Sequence, residues 1–589
     1  MPPPTRRTLL TGAALAAATA AAAVPAGAAP GGSEVPLVIA SRAAAMEAAI
    51  ADTAMVVLCL GYEVPGDGGQ ALYRRAGGEL SHRGGFRSRD GGWWELAEPD
   101  LNPFQFGARG DGSHDDAPAI QAMFDFVEAR GRPYPMRFLG GTFRLEAGLR
   151  LPTVPSSAAV DIDGGGATLR IAGPGVIFAR LPRDQADAMV TIGRSRYDIR
   201  NFHFRGTGAA GQTGIHIGAS YANVVRGCSF AQLEYGAIAT FCLASAWRDN
   251  LYQGCFARAL VLQTGAGSDH GPVWPGATES NSASNVSTIE NCRVYGHPRQ
   301  RSAFAVFGSD AVRVTGCISE GDGAATDLVF DFQGSPVVKN FHVDMFHCEA
   351  PRGTLNFQIR ATGKVVIERV VRSYAAALID ARGCTNCEII VRGLAWLGGL
   401  PEPRADGPNP RGRWFFHANG KGFGAGDEGG LSGGTCFRFE DCVEEAWAAL
   451  SNPARWESGR LPEVLTVTGL RNNGRGTMFW SSAPMEMLSP LAFADGTRIN
   501  GMLNGVVAAP PVPVPPQGGV SLRLPVTGLD AEGHVVFANP VAAQELPPAL
   551  AWTAHPEGAG VLVLRLTNAG ARPIELPATN WRYCAMRRG

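Results

Sequence analysis

Past about residue 150 the chain settles into one texture and keeps it. Short runs rich in Val, Ile and Phe alternate with glycine and polar turns. Examples are "AVDIDGGGATLRI", "YDIRNFHF", "TGIHIGASYANVVRGCSF", "SAFAVFGSDAVRVTGCIS", "DLVFDFQGSPVVKNFHV" and "LNFQIRATGKVVIERVV". Helical periodicity is nearly absent. Alternation at period two predicts strands with one face inward. Cys228, Cys255, Cys292, Cys317 and Cys348 recur inside such runs at steps of 27, 37, 25 and 31 residues. A period in that range, with about three short strands per step, marks a stacked repeat in which each step is one rung. A propeller blade needs about forty residues and hairpin turns, and a sandwich core does not extend over so long a stretch of one pattern. A parallel β-helix fits best.

The repeat is preceded by "FGARGDGSHDDAPAIQAMFDFVEARG", Phe106 to Gly131. Its second half predicts an amphipathic helix with Ile120, Met123, Phe124 and Val127 on one face. Asp115 or Asp116 stands at the N-cap, and Ala117–Pro118 in the first turn. The open end of a β-helix exposes core and strand edges, so this helix is expected to cover it. Turn and capping chemistry accounts for His114, Asp115 and Asp116 without a metal.

"FGARGDGSHDDAPAIQAMFD", followed by "FLGGTFRLEAGLRLP" and "VDIDGGGATLRI", resembles the opening segment of pectate-lyase-superfamily right-handed β-helices. The resemblance is to the group of rhamnogalacturonase- and epimerase-like proteins and phage tailspike depolymerases. "GYEVPGDGGQALYRR" (Gly61 to Arg75) resembles the small domain that precedes the helix in such proteins. The resemblance implies an all-β chain: a right-handed parallel β-helix with an N-terminal capping helix and a small C-terminal β-sandwich-like domain. It leaves the reaction open, because this superfamily hosts lyases, hydrolases, epimerases and binders.

The domain reading is a small N-terminal domain over 35–100, the β-helix over 101–484, and a linker over 485–519 that is proline-rich at its end ("AAPPVPVPPQGG"). A C-terminal module follows over 520–589. The N-terminus, "TRRTLLTG" followed by an alanine run, resembles a twin-arginine export leader ending at Ala28, with Arg6 and Arg7 as the pair. It implies a periplasmic or secreted protein with no membrane association once the leader is removed. Net charge is −1 with 18% charged residues, so no basic footprint for nucleic acid is present. The 12 cysteines sit mostly in strand-like runs and are expected as buried free thiols. The lone CxxC of Cys384 and Cys387 lacks a second ligand pair for zinc.

Three regions are candidates for chemistry. The first is the longest break in the repeat, "TGAGSDHGPVWPGATESNSASN" (Thr264 to Asn285). Long loops on a rigid scaffold form binding walls. It carries Asp269, His270 and Glu279 as acid/base candidates and Trp274 as a sugar-stacking ring. The second is an edge of the stack. Aligning "NCRVYGH", "GCISEGD" and "HCEAPR" on their cysteines sets Tyr295 beside Glu320 and His297 beside Asp322, with Glu349 and Arg352 nearby. Stacked carboxylates repel, which raises one pKa toward that of a general acid. The third is an outward ladder from aligning "LVFDF" with "LNFQI": Asp331 with Gln358, and Asn356 and Arg360 on the same face. A second irregular segment, Pro401 to Gly434, is a further wall.

These features imply an exported enzyme that cleaves glycosidic bonds in a polysaccharide or oligosaccharide. Paired carboxylates would serve a hydrolase, and a base abstracting the proton α to a uronate carboxyl would serve a lyase. The rival is a non-catalytic carbohydrate binder, adhesin or tailspike-like structural β-helix. No cofactor is implied, calcium entering only with lyase chemistry; a homotrimer is among the assemblies the resemblance implies.

Overall fold

The structure is a computed structural model. It describes residues 35–155, 158–269, 271–321, 326–331, 339–349, 355–370, 377–380 and 387–393, short strands between 395 and 493, and residues 498–541 and 546–588. The export leader and Cys384 lie outside the described residues, as does the irregular segment after Pro401 except for the strand Arg413–His417. The chain divides into two compact units after Glu98.

The first unit is a five-stranded sheet built on Leu37–Ile39, Val56–Cys59, Ala71–Ala76, Trp93–Leu96 and Gly85–Arg87. Trp94 and Tyr73 fill its core. The glycine-rich turn is pinned by Asp67, whose carboxylate accepts from the backbone N–H groups of Tyr62, Glu63, Val64 and Gly69.

The second unit is a parallel β-helix. Each rung runs through three short strands, such as Val224–Arg226, Ser229–Ala231 and Tyr235–Leu243. Each strand pairs in parallel with its equivalent one rung on: Val225 with Trp247, Phe230 with Tyr252, Ala237 with Leu260. The corners between strands are single residues in the left-handed conformation: Gly227, Gln232 and Ala244 in this stretch. A left-handed residue turns the chain sharply without leaving the ladder. Its N–H still reaches the next rung, as Gly227 N to Arg248 O (3.1 Å), Asp249 N to Glu290 O (3.0 Å) and Asn291 N to Thr315 O (3.0 Å) show. Many corners are not glycine. Asn201, Asp249, Asn291, Met345 and Arg369 hold this conformation, so the cooperative ladder outweighs their local strain.

With the corners aligned, inward side chains stack on their own equivalents. Phe204, Phe230 and Tyr252 lie ring on ring at 5.0 and 4.9 Å with planes 9° apart. Ile199, Val225, Trp247, Ile289, Val314 and Val343 form a second buried column. The opening helix, Ala117–Arg130, buries Ile120, Met123, Phe124 and Val127 as its spacing predicted. It also closes the strand edge. Gln121 Oε1 accepts from Arg150 N (2.8 Å), and its Nε2 donates to Arg150 O (3.2 Å). Asp115 Oδ1 accepts from Ala117 N at the first turn, while Asp116, fully buried, accepts from the N–H groups of Arg109 and Gly110. The DD pair therefore ties the turn to the helix.

Two expectations are corrected. The five cysteines are buried free thiols, but they do not form one column. Cys228, Cys292 and Cys317 follow the same corner, where Asn250 takes the place on the intervening rung. Cys255 follows the next corner, after Gly254, and Cys348 pairs with Ser319 inside a strand. Of the steps read from the cysteines, the 25 residues from Cys292 to Cys317 are a true rung and the others are not. The proline-rich segment is not a linker. Arg498–Ala509 pairs antiparallel with Thr579–Arg588, and Val512–Val514 with Ile574–Leu576. Val514 and Trp581 lie in one buried cluster of the C-terminal module. Proline is tolerated there because these are edge strands and turns.

Phe230→Ala removes the middle ring of the stack. It is expected to destabilise the β-helix by about 3–5 kcal/mol, read as a lowered urea midpoint with the backbone circular dichroism of the native state unchanged.

Candidate functional site

The outward face of the third strand of each rung should be polar, since one side of a strand in a β-helix faces solvent. Here it is not. Ile238, Val261, Ala305 and Val329 stand in register on the outer face. With Tyr235, Ala257 and Phe307 they form a second buried apolar cluster outside the coil. The strands Arg258–Gln263 ("RALVLQ") and Ser302–Phe307 ("SAFAVF") carry the signal for this, being apolar at successive positions and not at alternate ones.

What covers this face is the loop Thr264–Asn285. The loop is anchored at its far side on the helix Gln185–Thr191. Trp274 Nε1 donates to Gln185 Oε1 (2.9 Å), Gln185 N donates to Pro275 O (3.1 Å) and Gln185 Nε2 to Asn281 O (3.1 Å). The indole is 2% exposed, packed among Ala188, Ala219, Phe241 and Ala277. Trp274 was expected to stack on a sugar; it is instead the hydrophobic bolt of the loop, because the absent side chains of Gly218 and Gly265 leave it room to enter.

At the near side the loop is anchored by charge. Asp269, 10% exposed, takes both Nε and Nη2 of Arg258 (3.0 and 3.2 Å) and both terminal nitrogens of Arg301 (3.1 Å each). It also accepts from the Tyr235 hydroxyl (3.0 Å). Arg258 is held in turn by Ser302 Oγ (2.5 Å) and lies 5.1 Å from the Phe307 ring centre. Burial pushes the Asp269 pKa up, but the bonds and charge of Arg258, then Arg301 and Tyr235, outweigh it and leave the pKa below the ordinary aspartate value. Burial, then the Asp269 charge, push Tyr235 up to about 12, so its hydroxyl remains a donor. A carboxylate so fully engaged is a clamp and not a proton carrier, which corrects the acid/base role expected of Asp269.

Ser268 and Asp269 divide the covered face into two clefts. The larger, of about 370 Å³, has Phe307 and Val329 as floor and Arg258, Arg301, Asp331, Gln358, Ser268 and Asp269 as rim. The expected ladder of Asp331 and Gln358 is thus brought to the loop, but its register differs. Val329 pairs with Gln358, and Asp331 with Arg360. The shift is two residues. A shift of two keeps the same face, so both side chains still point outward and Phe330 and Ile359 still point into the core. Arg360 lies 3.6 Å from Asp331. Glu279, half-buried in the turn after Ala277, lies within range of the Asp331 charge. Burial, then the charge of Asp331, raise its pKa above the ordinary glutamate value.

Tyr295 and Glu320 are in register, as expected, and Glu349 continues the same row. They lie on the neighbouring face, before the corner, and line neither cleft. His297 lies beyond them; burial and the charge of Arg299 lower its pKa, and Arg299 N donates to its Nδ1 (3.1 Å). His270, Asp322 and Arg352 lie outside the described residues, as do the side chains of Glu349 and Asn356. Arg258, Arg301, Phe307, Val329 and Tyr235 were missed from sequence. Arg258 and Arg301 are distant in the chain from the residues they serve, and only the fold brings them under Asp269.

No family model matches the chain, and no curated protein matches it in sequence. Solved structures similar to it include the tailspike protein gp49 of Pseudomonas phage LKA1, at 12% identity over 82% of this chain and 99% of that one, TM-score 0.39. A tailspike protein of Acinetobacter baumannii phage AM24 gives 12% over 93% of each chain, TM-score 0.42. The tailspike gp49 of Acinetobacter baumannii bacteriophage Fri1, a capsular polysaccharide depolymerase, gives 11% over 94% and 98%, TM-score 0.34. Scores this low decide nothing about activity, and the fold rests on the strand register above.

Asp269→Asn removes the charge between two arginines while keeping its shape. Breaking a buried pair from one side costs about 3–5 kcal/mol, here felt mainly by the loop. Limited proteolysis between Thr264 and Asn285 should accelerate strongly. In the native protein the clamp is present above the ordinary aspartate pKa of 3.8 and is lost as pH falls through the lower folded value. Proteolysis of the wild-type loop should therefore rise only below that pH.

Proposed function

We propose that the protein binds an extended glycan along the covered third face and hydrolyses it at the larger cleft. The observation that carries the reading is the composition of that cleft. Its apolar floor, Phe307 and Val329, suits the C–H face of a sugar ring, while Arg258, Arg301, Asp331 and Gln358 surround it with hydrogen-bonding groups for hydroxyls. All stand on a stacked sheet rigid enough to hold catalytic distances.

Asp331 on the rim of this cleft and Glu279, close enough to feel its charge though not part of the lining, stand in different environments. Glu279 is the one favoured to hold a proton, and Asp331 is paired with Arg360. Environments that push two carboxyls apart assign their roles. Glu279 would protonate the leaving glycosidic oxygen. Asp331 would act from the other side, as a base on water or as a nucleophile. A lyase would instead need cations free to neutralise a uronate carboxylate, and Arg258 and Arg301 both engage Asp269. Binding without turnover is the second reading; the arginine partners of Asp269 and Asp331, the two carboxylates lining the cleft, favour it.

The test is incubation with a polysaccharide panel, reading new reducing ends and the absorbance of unsaturated uronates. Reducing ends without that absorbance are expected. Glu279→Gln should lower turnover by a factor of about a hundred or more while glycan affinity holds. Wild-type turnover in Glu279→Gln would remove this acid, and affinity with no products across the panel would leave the binder. Export by the twin-arginine route belongs to the same proposal. Replacing Arg6 and Arg7 together by lysine should retain the chain in the cytoplasm, as fractionation would show.

A further inference from the structure

The hydrolytic reading uses only one of the two clefts. The other, of about 270 Å³, lies on the far side of Ser268–Asp269 and is walled by Ile238, Val261, Val273, Tyr235 and His216. His216 stands at the head of the apolar column, in register with Ile238 and through it with Val261. It is 9% exposed.

Its hydrogen bonds favour one tautomer. Ser268 Oγ donates to Gln263 Oε1 (2.7 Å), and Gln263 Nε2 donates to Thr240 Oγ1 (3.0 Å). Thr240 Oγ1 lies 2.9 Å from His216 Nε2. A hydroxyl has one proton to give. With the Gln263 amide turned this way, Thr240 already accepts from it and directs its own proton to Nε2. Among the described residues that proton has no other acceptor, so this arrangement leaves the imidazole proton on Nδ1. Burial keeps the ring neutral, lowering its pKa to about 4. Of the charged groups of the same cleft, Glu234 accepts from Gly211 N (2.5 Å) through one oxygen, and Asp269 holds its two arginines. Among the described residues Nδ1 has no protein partner, and it is not sealed from solvent.

The cleft thus offers one neutral, orientation-fixed donor set in an apolar wall. A sugar hydroxyl is served by many sites. A free amine, protonated and without an acceptor, has nothing to offer an N–H donor. An acyl group matches on both counts, having a carbonyl oxygen to accept and a methyl to bury. We propose that this second cleft is a subsite for an acyl substituent of the glycan, N-acetyl or O-acetyl, its carbonyl accepting from His216 Nδ1–H and its methyl resting on Ile238 and Val261. The proposal rests on the glycan reading of the same face and names the substituent that this face selects.

Saturation-transfer NMR on the full chain tests it, with N-acetylglucosamine, 6-O-acetylglucose and glucosamine as probes. Saturation of the acetyl methyl is expected for one or both acetylated sugars, the pair distinguishing amide from ester, and none for glucosamine. His216→Phe should weaken the signal about fivefold, in the range of one neutral hydrogen bond, while His216→Asn, which keeps an N–H near the Nδ1 position, should retain most of it. Pro272→Trp, at an exposed position lining the cleft, should fill the cleft and abolish the signal even where His216→Phe does not fold. No methyl saturation in the wild type, or equal saturation in wild type and both the His216→Phe and Pro272→Trp variants, overturns the subsite. Polysaccharide turnover in a protein without methyl saturation sinks this subsite alone. Methyl saturation that depends on His216 in a protein without turnover leaves the subsite standing and sinks the hydrolase.

Discussion

One backbone arrangement recurs through the β-helix: a left-handed residue at a corner whose N–H bonds to the carbonyl of the next rung. Because Gly227, Asp249, Asn291 and Met345 all turn in this way, neither a rung nor its neighbour can drift. Inward side chains then meet their own kind, and a ring such as Phe230 finds rings on both sides. Outward side chains are fixed with equal firmness. The groove floor of Ile238, Val261, Ala305 and Val329 is the outer record of the same ladder.

Against that background the loop Thr264–Asn285 is an addition to a finished scaffold. It is held by an apolar anchor, Trp274, and by an ionic one, Asp269. The two do different work. Burying Trp274 contributes affinity of loop for sheet without much direction. The Asp269 cluster contributes direction, since two guanidinium forks and a phenol accept one geometry only, though buried ion pairs add little net stability. The position of the loop tip, and hence the division of the face into two clefts, follows from the ionic anchor.

The fold was legible in the sequence because period-two alternation and the helix Ala117–Arg130 are local signals. The absolute alignment of rungs was not. Cysteine is a small hydrophobe that suits any tight inward position, so Cys228, Cys255 and Cys348 looked equivalent while occupying three different places. The parity of Asp331 and Gln358 was read correctly and their partners were not, because alternation fixes the face of a side chain and leaves its height free. The Thr264–Asn285 loop does lie against the third face, but Trp274 and Asp269 serve to hold it there. Trp274 and Asp269 have the side chains of a binding site, and burial turned both to holding the loop. His216 was passed over because a histidine between two isoleucines reads as core; only the relay through Thr240 and Gln263 sets it apart.

The parity of the third face has a consequence for how such a chain can change. Core and groove residues alternate along one strand, so the sheet is read in steps of two, like a text with a frame. Exchanging Val329 or Gln358 rewrites the groove and leaves the core untouched. Inserting one residue before Leu328 would send Phe330 into the groove and its polar neighbour into the core, on that rung and on no other. Length can vary freely only where the frame is already suspended, between one strand and the next. The 22 residues from Thr264 to Asn285 sit at such a place, which is why so large an insertion coexists with an unbroken stack.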